Sequence, residues 1–127
     1  SPDLLKDAPT EAEVLPGWLD FVQDSTLVGH HVSFDRCMVD QALQRHYGEN
    51  FVNIALDTVD LTRHADDTFS PHKTLPANQL GLDYLCKHYN IPIEDRHTAL
   101  GDAYMTGLLF LRLRALAPGL DLARLLK

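Results

Sequence analysis

Two short motifs each set an acid at the start of a helical stretch among histidines. Asp35 closes Gly29-His30-His31-Val32-Ser33-Phe34-Asp35, and Asp102 lies in Arg96-His97-Thr98-Ala99-Leu100-Gly101-Asp102-Ala103, with His97 five positions ahead of it. Carboxylates grouped with a histidine suit metal-assisted hydrolysis of a phosphodiester. Oxygen ligands hold Mg²⁺ or Mn²⁺ while a base deprotonates water. Asp35 and Asp102 are the candidate ligands, and the plain alternative for each is an acid stabilising a helix N-terminus. His97, with an ordinary pKa of about 6.5, is the candidate base. No second close pair of acids lies on a strand to complete a two-metal site.

Composition narrows the setting. The chain has 127 residues, 45% of them hydrophobic, which is the size of one domain, taken as residues 1–127. It has no apolar run long enough to span a bilayer and no signal-peptide pattern at Ser1-Pro2-Asp3, so it reads as soluble and cytoplasmic, without a membrane partner. A formal net charge of -7 argues against a basic face that grips long stretches of nucleic acid. It leaves room for an enzyme that takes one strand end into a small pocket and borrows positive charge from bound metals. Cys37 and Cys86 read as buried free thiols, and no histidine or cysteine spacing points to zinc.

Local patterning supplies the scaffold. Thr10 to Glu13 has capping-box spacing ahead of a helix from about Glu11 to Gln23, with a bend or late start expected at Pro16-Gly17. Thr26 to Gly29 reads as a buried strand, Ser33 as the N-cap of a helix that Gly48 stops, and Phe51 to Leu56 as a second strand. Asp57 opens a short helix as a structural cap, and Ala65 to Ala77 is a loop. Asn78 caps a helix that ends near Asn90 and Pro92, Ala99 to Ala117 is a long helix, and Leu120 to Lys127 is a short terminal one. Trp18, Phe21, Phe34 and Tyr84 fall on apolar faces, His30 reads as a structural hydrogen-bonder, and Arg112 and Arg114 as a solvated face. Five or six helices with only two strands imply an α/β fold whose remaining strands are expected before Ser1.

The motifs resemble those of the DEDDh family of 3′-to-5′ exonucleases, typified by the proofreading epsilon subunit of bacterial DNA polymerase III. Leu27 to Asp35 is similar to the family's apolar strand followed by His-Asn-x-x-Phe-Asp, and His97 to Ala103 matches His-x-Ala-x-x-Asp-Ala. Between them, Leu56-Asp57-Thr58 and Asn78 to Cys86 resemble the Asp-Thr and Asn-x-Leu-x-x-Leu-Cys landmarks. His31 replaces the usual Asn, and the opening Asp-x-Glu motif is absent. The resemblance implies a ribonuclease H-like exonuclease fold, entered partway and present as its C-terminal part. It implies hydrolysis at nucleic-acid 3′ ends to nucleoside 5′-monophosphates, with two Mg²⁺ or Mn²⁺ ions. Asp102 and Asp35 would support the metals, His97 would act as base, and His31 and Phe34 would lie on the substrate side. The implied partners are a DNA or RNA 3′ end and the polymerase or other domains of a larger protein. Lacking the Asp-x-Glu pair, the 127 residues alone are expected to be inactive, and an open sheet edge allows a homodimer. The rival expectation is a non-catalytic nucleic-acid-binding or assembly module on the same fold.

Overall fold

The computed structural model describes residues 6–127. In chain order it places α1 (Glu11–Val22), β1 (Leu27–Gly29), α2 (Val32–Tyr47), β2 (Ala55–Asp57), α3 (Thr58–Ala65), α4 (Leu82–His88) and α5 (Ala99–Leu116). Three 3-10 turns, Asp67–Phe69, Ala77–Leu80 and Leu122–Leu125, complete it. Among the described residues this is an α/β arrangement of five α-helices around two parallel strands, in register Leu27↔Ala55, Val28↔Leu56 and Gly29↔Asp57. Parallel neighbours need a long crossover, and α2 provides it.

Local chemistry explains most boundaries. Thr10 accepts from the Glu13 amide and donates to the Glu13 carboxylate, so α1 starts on time and runs through Pro16 without a late start. Gly48, at φ 66°, ends α2 by directing its N–H to Gln44 O, a left-handed step that glycine takes without Cβ strain. β2 is buried along its length, and its outer edge is met by Lys127, whose N–H and C=O pair with those of Ala55.

Several expectations are corrected. Ser33 is not the N-cap of α2. The chain turns two residues earlier, at His31, which is left-handed and offers no side-chain cap. The second strand is confined to Ala55–Asp57, because the Phe51 amide bonds the Asp40 carboxylate and leaves the ladder. Asn78 lies inside a 3-10 turn that opens at Ala77 and does not cap α4, which starts only after the extended Gly81. β1 is not buried on both faces. Val28 is 43% exposed, because among the described residues no strand pairs with the outer edge of β1. Cys86 is buried but Cys37 is exposed, and Phe21 and Phe34 point to solvent instead of the core. Arg112 and Arg114 do not simply face water: they bond the carbonyls of Tyr89 and Leu120 respectively.

The core lies where α3, α4 and α5 meet. Met105, Leu109 and Leu113, spaced at i, i+4 and i+8, are fully buried against Leu61, Leu85 and Phe69. Each such side chain contributes roughly 1.5–3 kcal/mol of hydrophobic stabilisation. That packing fixes α5, and with it the carboxylate in its first turn, against the strand end.

Candidate active-site cleft

The first wall is the junction of β1 and α2. The N-terminal amides of α2 need an acceptor. Asp57, at the end of the neighbouring strand, supplies it: its carboxylate accepts from His31 N at 3.0 Å, Val32 N at 3.2 Å and Val59 N at 2.9 Å. One buried acid therefore caps α2 from outside and α3 from within. Gly29 leaves room for the turn, since a Cβ there would lie 2.8 Å from Val32 Cγ2 and 3.4 Å from the Asp35 carboxylate. Asp35 thus stands one turn into α2 at the carboxyl end of a parallel strand, where open α/β sheets bind ligands. The cleft walls and the charge of Asp57 raise the Asp35 carboxyl above its usual pKa.

His30 props this wall from behind. Its Nε2 lies 2.7 Å from Leu80 O and its Nδ1 2.7 Å from Thr58 Oγ1. A carbonyl can only accept, so Nε2 carries a proton. Burial lowers the pKa of His30, outweighing the hydrogen bond to Leu80 that works the other way. It is the structural hydrogen-bonder expected from the sequence.

The second wall is the 95–98 loop and the first turn of α5. Thr98 caps α5 through Gly101 N, and Gly101 is obligatory: a Cβ there would sit 2.2 Å from Asp95 O. Asp95 and His97 both take positive φ, 50° and 72°, so backbone strain is concentrated beside the site. The loop aims the His97 amide at Asp102 Oδ1, 3.0 Å away, while Arg96 Nη1 reaches Asp102 Oδ2 at 2.6 Å. Partial burial opposes charge on Asp102, but the amide and the guanidinium outweigh it and hold its carboxyl below the usual value.

Between the walls lies a cleft of about 540 Å³ that Asp35, Asp102, His30, His31 and Arg96 share. The two acids from distant motifs therefore face one space. His31 lines it beside His30, with ring centroids 5.0 Å apart. The His97 ring does not line it and is exposed. Phe34 also lies outside the lining, 68% exposed. Asp57 is occupied by helix amides. Arg96 is the residue that sequence reasoning missed: a cation just ahead of the second motif was visible, but its bridging of acids on two helices shows only in the folded chain.

Asp35 and Asp102 both line the open cleft, and Mg²⁺ or Mn²⁺ commonly takes one or two protein carboxylates and completes its shell with water and phosphate. Among the described residues no cluster of three acids, histidines or cysteines could hold an ion alone. Nor does any helix have the length and apolarity to cross a membrane.

A family profile described as Exonuclease (RNase_T) matches residues 1–110. The chain is 34% identical over 111 residues to a PolC-type DNA polymerase III of Latilactobacillus sakei, covering 87% of this chain and 7% of that protein. It is 33% identical to the PolC-type enzyme of Oceanobacillus iheyensis and 30% to that of Staphylococcus haemolyticus, with the same coverage. The chain thus spans a small part of the length of these relatives. No solved structure matches it.

Proposed function

Because this chain belongs to the exonuclease family, we propose that it serves a metal-dependent 3′-to-5′ exonuclease that releases nucleoside 5′-monophosphates from nucleic-acid ends. The observation that carries the reading is the convergence of Asp35 and Asp102, 67 residues apart (102 − 35), on one cleft at the end of a parallel strand. On this reading the two strands belong to a ribonuclease H-like sheet. The relatives make single-stranded DNA the first substrate to try and polymerase domains the natural partners.

Asp35 and Asp102 would hold a divalent ion. When bound, such ions lower the pKa of an attacking water and neutralise charge on the scissile phosphate. His97 would act as the base that takes the water's proton, its exposed ring held beside the cleft by the backbone amide that bonds Asp102. His31 would meet the terminal nucleotide from the cleft wall, and Phe34, exposed outside that lining, would offer a stacking face to a base beyond the cleft. Asp35 and Asp102 are here without the Asp-x-Glu pair that the resemblance assigns to the same site, so the 127 residues alone are expected to be inactive.

The competing reading, a non-catalytic nucleic-acid-binding or assembly module, has one observation in its favour: the absence of a three-ligand cluster among the described residues. An oligonucleotide labelled at its 5′ end separates the two. With Mn²⁺, the full-length protein should give a ladder shortened from the 3′ end and release nucleoside 5′-monophosphates. Intact oligonucleotide that is nevertheless retained by the protein would favour the binding module.

A further inference from the structure

We propose that Arg96 is a built-in counter-ion that competes with the divalent cation for Asp102 and is handed to Asp83 when the cation binds, so that it sets the metal affinity of the cleft. This rests on the metal-dependent reading above. Arg96 bridges two acids: its Nε bonds Asp83 in the first turn of α4, and its Nη1 bonds Asp102 in the first turn of α5. The guanidinium is charged at any pH the protein meets, so it cannot leave Asp102 by losing a proton. It must move, and the geometry provides somewhere to go.

Arg96, with Gly81 and Leu82, lines both the main cleft and a neighbouring one of about 360 Å³ that Asn78, Asp83, Tyr84 and Lys87 complete. A turn toward Asp83 takes it out of the first space into the second without stranding its charge. Asp83 is the more exposed acid, 49% against 35% for Asp102, and its carboxylate has no other cationic partner among the described residues. A dication on Asp102 repels the nearby guanidinium, whereas the single negative charge of Asp83 retains it. Without the cation, Arg96 keeps Asp102 paired, and the two strained residues flanking it, Asp95 and His97, hold it at the cleft mouth.

The test is a calorimetric titration of Mn²⁺ into the full-length protein and two variants. A partly buried arginine–carboxylate pair of this kind alters a competing equilibrium by about two- to fivefold. Arg96→Gln should therefore tighten Mn²⁺ binding by that factor. Asp83→Asn, which leaves Arg96 only Asp102, should weaken it. A purely structural bridge would weaken binding in both variants, so the opposite signs are diagnostic. Unchanged or weaker binding in Arg96→Gln overturns the competition, and unchanged binding in Asp83→Asn overturns the hand-over. If wild-type protein binds no Mn²⁺ that Asp102→Asn abolishes, the metal-dependent reading fails and this inference fails with it.

Discussion

Removing the Asp57 carboxylate should loosen two helix starts that lie far apart in the sequence. In Asp57→Ala, the amides of His31, Val32 and Val59 all lose their acceptor, and Asp57 itself is only 5% exposed, so water does not replace it freely. Loss of one cap costs about 0.5–2 kcal/mol, and an orphaned buried donor about 1–3. Three donors, partly rehydrated, put the total at roughly 3–5 kcal/mol, a large share of the ~5–15 kcal/mol that stabilises a domain. Relief of the repulsion that Asp57 exerts on Asp35 returns only part of this. Amide hydrogen exchange resolved by mass spectrometry reads the two sites separately. Protection in peptides covering 30–34 and 57–61 should fall together, by about 10²- to 10³-fold, since each 1.4 kcal/mol is tenfold. Asp57→Asn keeps one acceptor oxygen and should lie between. If only the 57–61 peptide loses protection, Asp57 does not cap α2, and the explanation for how Asp35 is positioned is wrong.

Gly101→Ala should destabilise the chain by about 1–3 kcal/mol, since the new Cβ meets the Asp95 carbonyl at 2.2 Å. Gly107→Ala in the same helix meets nothing within 4 Å and should stabilise by about 0.5–1 kcal/mol. Thermal melts that move both variants in the same direction would refute the close approach of loop and helix. Asp66 accepts from Tyr89 OH at 2.7 Å and Thr68 N at 2.9 Å. Burial raises its pKa, but these bonds prevail and hold it below 3.8. A depressed carboxylate contributes stability that is fully present above its unfolded pKa and lost as pH falls through the folded one. Urea midpoints should therefore drop below about pH 4, and Asp66→Asn should flatten that slope while lowering stability near neutrality. A variant with the wild-type acid slope would show that Asp66 is not the group responsible.

Elements governed by local chemistry were legible in the sequence. Gly48 as the stop of α2, Asp57 as the cap of α3 and the capping box at Thr10 all follow from residues within a few positions of the event. What was not legible depends on partners far along the chain. Ser33 has the right residue type for an N-cap, but the helix already starts at Val32, where Asp57, from far along the chain, accepts the His31 and Val32 amides. Phe34 and Phe21 carry a helical apolar pattern, yet the described residues put no layer over them, so they stay exposed. The two acids that line the cleft stand out in the sequence through their motifs. The guanidinium between Asp83 and Asp102 was not, because its meaning appears only when α4 and α5 are side by side.

The most direct test compares Mn²⁺-dependent release of nucleoside 5′-monophosphates from single-stranded DNA by full-length wild-type, Asp35→Asn and Asp102→Asn proteins of equal folded content. Both substitutions remove charge with little change of shape, and each should lower the rate by about 10²- to 10³-fold, as expected when charge stabilisation in the transition state is lost. Either variant retaining a rate within about twofold of wild type would contradict a shared metal site built from the two acids.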